Sequence, residues 1–417
     1  MAIIKPFKGL RPPKNIVEEL SCLPYDVMNS DEAAEMSEGK GTSLLRITRA
    51  EIDFEKGTDS HQEKVYEKAS SNFNYFQEKG YLIQDEVAQY YIYAQTMNGK
   101  TQYGIVGDAA CDDYKNGIIK KHELTRPDKE EDRKILTRYL QANIEPVFFT
   151  YRAVPEIDEI VASIVANNEP EYDFIGKEDG FGHQFWVIND AEINKNLEQL
   201  FKEKVPCTYV ADGHHRTAAA AGMQDEFIKN NPNHTGDEPY NYFMAVHFPD
   251  DQLQIIDYNR VIKDLNGFTA EEIVEKIEEN FEISQISEDI IKPEKIHDFS
   301  MYLNSKWYGL SAKENTINND SPIDGLDVSI LSKFVLEPIL NIKDLRTDTR
   351  IEFVGGIRGL GELSKRVDNG EMAIAFALFP VSMEELMHIA DTNNIMPPKV
   401  TWFEPKLRSG LVINKLN

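Results

Sequence analysis

Two strand-like runs joined by Asn98-Gly99 constrain the fold of this chain more than any other feature. Residues 88–96 and 102–109 are rich in β-branched and aromatic side chains, and Asn-Gly between two such runs predicts a β-hairpin. A hairpin pairs its strands antiparallel, so a regular parallel α/β sheet is disfavoured. Further hairpins are predicted around 180–182, around 250–251, and between 301–303 and 307–310.

Helix signals separate these hairpins. Pro127 is placed to begin a helix, and Thr269 and Glu272 have the spacing of a capping box. The isoleucines between 157 and 164 recur at helical intervals, whereas residues 44–49 are predicted as a short strand. Hairpins mixed with helices predict an α+β fold with mixed sheets and packed helices.

The domain organisation follows from length and from weak boundaries. A chain of 417 residues allows two or three domains, or one large interleaved domain. No repeat or low-complexity linker marks a boundary in the sequence. We therefore expect three segments with soft boundaries, which can interleave: 1–150, 151–260 and 261–417.

Composition limits the partners. The chain has 45 Lys and Arg against 71 Asp and Glu, a formal charge of −26, and nucleic-acid binding relies on an excess of Lys and Arg. No run reaches the roughly 20 apolar residues of a membrane helix, and three dispersed cysteines indicate reduced thiols. We expect a cytoplasmic protein without nucleic-acid or membrane partners that binds a small molecule; it could also form oligomers.

The segment YVADGHHRTAAAAG (209–222) concentrates the ionisable chemistry. Residues 207–211 suit a strand, Gly213 permits a tight turn, and the alanines favour a helix from His214 onward. Such a helix start presents unpaired backbone N–H groups and attracts anions, phosphate above all. Arg216 can add a bidentate contact to phosphate, and His214 and His215 can donate hydrogen bonds or carry protons.

Less specific interpretations of this turn remain open. Asp212 can cap the helix, hold a metal ion or orient a hydroxyl, and Arg216 can pair with surface acids. Zinc is disfavoured because neighbouring histidines do not share a helix face. Arg126, within a basic cluster at 120–133, and Lys406, in a proline-rich C-terminal segment, are further candidates for anion binding. Both can equally be solvated surface charges.

Several motifs carry a resemblance to known proteins. The DGHHR turn (212–216) resembles the phosphate-binding turn of the ParB/sulfiredoxin-like fold, and of its free-serine kinases in particular. The whole chain is similar to the family known as domain of unknown function 1015. The matching segments are KPFKGLRP, LPYDV, KKHELTRPDKEEDR, ADGHHR and MPPKVTWFEPKLRSGLV.

The resemblance implies a ParB-like part around the turn and a role in phosphoryl transfer to a small hydroxyl compound such as free L-serine. Asp26, in Pro24-Tyr25-Asp26, is the candidate general base, although this chain has Tyr-Asp where those kinases carry a different acid context. Asp212 and His215 are further catalytic candidates, and Mg²⁺ held by Asp212 and Asp26 would accompany ATP, ADP or pyrophosphate. The expected phosphate or nucleotide ligands are Gly213, His214, His215, Arg216, Thr217, Arg126 and Lys406.

Two other classes of function remain open on the sequence alone. The first is a nucleotide-binding regulatory protein that keeps the phosphate turn but performs no chemistry. The second is a metal-dependent hydrolase that uses Asp212 and the histidines. Nucleotide turnover, its dependence on Asp26, and the metal content of the purified protein distinguish the three.

Overall fold

The computed structural model describes residues 1–318 and 320–417 and divides into two compact units. The first unit comprises residues 1–253 and 405–417, and the second comprises residues 254–404. Both contain helices and hydrogen-bonded sheets, so the predicted α+β class is confirmed. The division into three segments stays a prediction.

The helices and strands of the first unit alternate along the chain. Its helices are α1 (Val17–Leu20), α2 (Ser30–Met36), α3 (Leu45–Thr48), α4 (Glu63–Glu78), α5 (Cys111–Lys115), α6 (Pro127–Leu140), α7 (Pro155–Asn167), α8 (Ala191–Lys204) and α9 (His214–Asn230). Its strands are β1 (Ile4–Lys5), β2 (Leu10–Arg11), β3 (Ile83–Gln84), β4 (Tyr91–Met97), β5 (Lys100–Ala110), β6 (Ile119–Lys120), β7 (Ala142–Asn143), β8 (Val147–Tyr151), β9 (Tyr172–Ile175), β10 (Gly182–Val187), β11 (Thr208–Asp212), β12 (Tyr242–Pro249) and β21 (Asn414–Lys415).

A nine-stranded mixed sheet organises this unit. Its order is β6-β11-β8-β12-β5-β4-β10-β9, and β1 also pairs with β5. The pairs β6–β11 and β8–β12 are parallel, and the other pairs are antiparallel. The predicted hairpin joins β4 to β5, and both Asn98 and Gly99 have positive φ, the conformation that a tight hairpin turn requires.

Helices cover the sheet because their apolar stripes need a partner. Ile157 and Val161 of α7 and Leu197 and Phe201 of α8 pack against the sheet in one buried cluster. A second cluster joins α4 to α6, with Phe73 of α4 among its buried residues. The helix α9 contacts α6 and packs Ala220 against a third cluster. In the chain, α9 begins directly after the end of β11.

The second unit is built on an antiparallel sheet of order β15-β17-β16-β19-β14-β18. The capping box at Thr269 and Glu272 is present, and Ser382 and Glu385 form another. Its strands are β13 (Ile255–Ile256), β14 (Tyr258–Ile262), β15 (Phe281–Ser287), β16 (Asp298–Leu303), β17 (Lys306–Ala312), β18 (Ile351–Gly355), β19 (Ile374–Leu378) and β20 (Trp402–Phe403). Its helices are α10 (Ala270–Glu278), α11 (Asp327–Leu331), α12 (Gly361–Asp368) and α13 (Met383–Asp391).

Two local predictions were wrong. Residues 44–49 contain the short helix α3, because Leu45 and Ile47 pack into the cluster between helices, and this burial outweighs their strand propensity. Asp250 and Asp251 do not join a hairpin. They lie in a 3₁₀ turn, and the preceding strand β12 pairs with β5 and β8.

No helix in the described part of the chain is both long and apolar enough to cross a membrane.

Candidate phosphate site at the start of helix α9

The DGHHR turn forms where β11 ends and α9 begins. Along β11 the register with β8 shifts between Val210 and Asp212, which leaves one extra residue on β11. Such a bulge bends its strand and re-aims the next side chain. Gly213 follows with φ of 95° and ψ of 32°, a left-handed conformation that costs glycine least. The predicted strand, turn and helix are therefore confirmed.

The first turn of α9 is suited to an anion. Its residues are His214, His215, Arg216 and Thr217, so no acidic side chain repels an anion there. The N-cap position is Gly213, which has no side chain to accept from the first N–H groups. Asp212 does not cap the helix, in contrast to one of its three predicted roles. The positive end of the helix dipole thus carries no built-in counter-charge from a cap.

Arg216 is a buried cation with one unpaired nitrogen. Its Nη1 donates to the carbonyl of Pro146, and its Nη2 lies 3.2 Å from Oδ2 of Asp212 and 4.0 Å from Oδ2 of Asp26. Its Nε is buried and has no hydrogen-bond partner among the described residues. Burial lowers the pKa of Arg216, but the carboxylates of Asp26, Asp212 and Glu145 outweigh burial and raise it.

Asp212 links two cations. Its Oδ2 accepts from Arg216, and its Oδ1 lies 3.5 Å from Nζ of Lys406. Burial raises the pKa of Asp212, but the charges of Lys406 and Arg216 lower it to about 2. The carboxylate is therefore ionised at neutral pH. The C-terminal segment brings Lys406 to the turn, and a bond of 2.8 Å from Nε2 of Gln95 to its carbonyl fixes its backbone.

Asp26 lies at the exposed edge of this group. It belongs to a 3₁₀ turn, Tyr25–Val27, and its side chain is 40 % exposed. The buried guanidinium of Arg216 is 4.0 Å away. The structure therefore brings Asp26, Asp212, Arg216 and Lys406 together.

The two histidines of the turn have different surroundings. The ring of His214 is buried, packs edge-on against His122 with centroids 4.6 Å apart, and has no partner for its Nε2 among the described residues. Burial lowers the pKa of His122 to about 4 and that of His214 well below its ordinary value, so both rings are neutral. His215 is half-buried, and its Nε2 accepts from the backbone N–H of Arg126.

Two predicted ligands do not point their functional groups at this site. Thr217 is fully buried, and its hydroxyl donates to the carbonyl of Gly213 one turn earlier. The guanidinium of Arg126 is 70 % exposed and pairs with Asp128 at 2.8 Å. Arg126 touches the turn through its backbone alone.

Glu145 and Arg133 are buried charges that the sequence reasoning did not assign to the site. Glu145 accepts from the backbone N–H of Tyr25 at 3.0 Å, and the Arg133 guanidinium lies 3.8 Å over the Tyr25 ring. With Arg216 they line a cavity of about 30 Å³, which has room for one water molecule. A signal existed in the sequence, because Glu145 lies two residues before the largely apolar strand β8, and an acidic residue that is buried there has to be paired.

No group of three or more His, Cys, Asp or Glu side chains that could hold a metal ion occurs within residues 1–318 and 320–417. Asp212 already pairs with Arg216 and Lys406, so it does not fit the role of a Mg²⁺ ligand in this arrangement. The carboxylate of Asp26 is exposed. It fits the role of a Mg²⁺ ligand, because Mg²⁺ is bound by one or two protein carboxylates together with phosphate oxygens.

Comparison with known proteins gives a family and distant structural neighbours. No curated protein matches the chain. A free serine kinase in complex with AMP is 13% identical, with a TM-score of 0.35, over 74% of this chain and 92% of that one. A conserved hypothetical protein from Pyrococcus furiosus is 14% identical, with a TM-score of 0.32, over 74% and 95%.

A third solved structure, SbnI with a C-terminal truncation from Staphylococcus aureus, is 10% identical, with a TM-score of 0.35, over 73% of this chain and 87% of that one. Similarity at this level carries no argument about function. The model of one family, described as a protein of unknown function (DUF1015), matches residues 4–329, well over half of the sequence. The chain therefore belongs to the DUF1015 family.

Proposed function

We propose that this protein is a small-molecule phosphotransferase, which binds the phosphate of a nucleotide or of pyrophosphate at the start of α9 and transfers a phosphoryl group to a hydroxyl. Free L-serine is the first acceptor to test. One observation carries the proposal: an uncapped helix start, a buried guanidinium with an unpaired Nε, and an exposed carboxylate lie within a few ångströms of one another.

The donors of the site support phosphate binding. Arg216 and Lys406 share the carboxylate of Asp212, and Asp26, 4.0 Å from Arg216, balances the remaining positive charge, so the attraction for phosphate comes from N–H groups directed at the site. The dipole of α9 adds to it. Separate phosphate oxygens would accept from Nε of Arg216 and from Nε2–H of His214, in the tautomer that carries its proton there, and both nitrogens lack partners among the described residues. Fixed donors of this kind stabilise the charge that spreads over the transferred phosphoryl group.

The position of Asp26 supports transfer rather than binding alone. A general base has to reach the acceptor hydroxyl while that hydroxyl faces the phosphorus atom. Asp26 is exposed, and its Oδ2 lies 4.0 Å from the guanidinium that would hold the phosphate. A hydroxyl compound entering from solvent therefore meets the carboxylate and the phosphate together. The same carboxylate could instead hold Mg²⁺ bound to the donor phosphates, a role that the test below separates from that of a base.

Phosphorylation of L-serine and of a panel of small alcohols, with Mg²⁺ and ATP, ADP or pyrophosphate, tests the proposal by phosphorus NMR. Adenine nucleotides come first simply because the free serine kinase structure contains AMP. We expect Arg216→Lys to lower kcat/KM by about 10²- to 10³-fold, because lysine lacks the forked guanidinium. Arg138→Lys, at an exposed pair with Glu226, is the matched control and leaves the rate unchanged.

Asp26→Asn separates the two roles of Asp26. Loss of the base lowers kcat at every Mg²⁺ concentration, whereas loss of a metal ligand is rescued by raising Mg²⁺. No phosphorylated product with any donor and any hydroxyl compound contradicts the proposal. Tight nucleotide binding without turnover, unchanged in Asp26→Asn, indicates a nucleotide-binding regulatory protein instead.

A further inference from the structure

Glu145 is a buried carboxylate in the short connection between β7 and β8. Its side chain is 3 % exposed, and a charge in such a place is costly unless it is paired and hydrogen-bonded. Burial raises the pKa of Glu145, and the charges of Arg133 and Arg216 oppose this effect. The proposed transfer chemistry makes no use of this carboxylate, so its retention needs another explanation.

The partners of Glu145 come from separate parts of the chain. Its Oε1 accepts from the backbone N–H of Tyr25 at 3.0 Å and from Oγ of Ser409 at 3.4 Å. Its Oε2 lies 3.4 Å from Nη1 of Arg133 in α6. Arg133 in turn covers the ring of Tyr25 and pairs with Asp132 at 2.7 Å.

Two of these partners, Tyr25 and Ser409, are close in sequence to a residue of the candidate site. Tyr25 directly precedes Asp26, and Ser409 follows Lys406 in a segment that is tied to Cys22 by a pair of backbone hydrogen bonds. Glu145 itself directly precedes Pro146, whose carbonyl accepts from Arg216. Glu145 is therefore linked to Asp26 through Tyr25, to Lys406 through Ser409, and to Arg216 through Pro146.

We propose that Glu145 is a positioning residue, which holds the Asp26 turn and the Lys406 segment against Arg216. This inference rests on the proposed phosphotransferase function. Glu145 touches no substrate in it; it acts through the backbone of Tyr25 and the hydroxyl of Ser409. Its negative charge also fixes Arg133, which packs on the same tyrosine, so a neutral side chain would retain the hydrogen bonds but loosen the turn.

Kinetics of Glu145→Gln test the inference. We expect kcat to fall about 10- to 100-fold, which is the effect of a displaced catalytic group. The dissociation constant of the donor is expected to change less than 3-fold. The double variant with Asp26→Asn is expected to be less than 3-fold slower than Asp26→Asn alone, because most of the effect of Glu145 is exerted through Asp26 and only a minor part through the Lys406 segment. A full further loss in the double variant overturns the inference.

Asp108→Asn is the control for the loss of a buried acidic group. Asp108 is also buried in the first unit, burial raises its pKa well above the ordinary value, and its carboxyl oxygens accept from Nδ2 of Asn414. If burial alone mattered, the two variants would lower kcat alike. We expect Asp108→Asn to lower the melting temperature without a change in kcat, and an equal loss of kcat overturns the inference.

Hydrogen exchange separates this inference from the proposed function, because it needs no activity. In Glu145→Ala without ligand, peptides containing residues 22–28 and 405–410 are expected to exchange at least 10-fold faster, while β4 and β5 stay protected. Unchanged exchange in both peptides overturns the positioning role. If exchange is faster but the protein phosphorylates none of the compounds tested, Glu145 still orders these segments, and only the proposed phosphotransferase function is contradicted.

Discussion

The buried arginines Arg216 and Arg408 lie in the same unit and differ in how completely they are paired. Arg408 donates from Nη2 to Glu178 at 2.7 Å, from Nη1 to Asp179 at 3.3 Å, and from Nε and Nη2 to the hydroxyl and the carbonyl of Ser21. All three of its nitrogens are used. Arg216 has only Pro146 and Asp212 as hydrogen-bond partners, and its Nε has none in the described structure.

This difference separates a structural charge from one that can bind a ligand. A buried guanidinium whose three nitrogens all have partners stabilises the fold around it. A buried donor without a partner costs free energy, which a bound acceptor would recover. We therefore interpret Arg408 as the residue that fastens the C-terminal segment, whereas Arg216 is the residue that receives the phosphate in the proposed function.

The largest expected effect is on the stability of the first unit. Arg408→Met removes the buried cation shared by Glu178 and Asp179, although Glu178 keeps Lys40 at 3.1 Å and Asp179 keeps the backbone N–H of Phe181. It is expected to lower the free energy of unfolding by about 3 kcal/mol. Arg216→Met is expected to cost less than about 2 kcal/mol, because Asp212 keeps Lys406 and Asp26 is partly exposed. Urea unfolding of both variants measures this. Equal losses would remove the distinction between the two arginines.

The second largest expected effect is on the stability of the turn at Gly213. Gly213→Ala forces a side chain into φ of 95° and places its Cβ 3.2 Å from the guanidinium of Arg216. Gly236 has φ of 97°, and no atom lies within 4 Å of a Cβ added there. Gly236→Ala therefore measures only the free-energy cost of a positive φ for alanine. Each is expected to cost about 1–3 kcal/mol of stability.

Only Gly213→Ala is expected also to weaken phosphate binding, by about 10-fold or more, because it displaces the guanidinium. Calorimetric titration with inorganic phosphate or a nucleotide measures the difference. Equal affinities in the two alanine variants would mean that the guanidinium does not bind the phosphate.

The smallest expected effect concerns pH and the neutral ring of His122, which packs on His214. Because burial lowers the pKa of His122 to about 4, the unfolded chain binds a proton below about pH 6.5 that the folded chain does not. Stability is therefore retained above pH 6.5 and falls as the pH decreases towards 4. By pH 5.5 the loss due to this ring is about 1.4 kcal/mol.

Urea unfolding at pH 7.5 and 5.5 measures this loss. His122→Gln is expected to lose less stability over the interval than the wild type, by about that amount. A His122→Gln protein with the full wild-type slope would show that the ring does not titrate on unfolding.

Local physics decided what could be predicted about this fold. The Asn98-Gly99 hairpin, the capping box at Thr269 and the helix from Pro127 depend on neighbours within a few residues, and all three are present. The strand expected at 44–49 failed because Leu45 and Ile47 belong to a cluster assembled from distant helices. Burial in a core cluster therefore outweighs the intrinsic strand propensity of these residues.

The same limit applies to the candidate site. The segment DGHHR by itself predicts a strand end, a tight turn at Gly213 and a helix start, because these depend on the residue types within one turn. That Asp212 does not cap the helix is decided by the structure. Which distant groups meet that turn was settled by the tertiary structure alone. Lys406 and Asp26 converge on it, Arg126 points to solvent, and Glu145 links the three segments, because close packing determines which charges lose water and need partners.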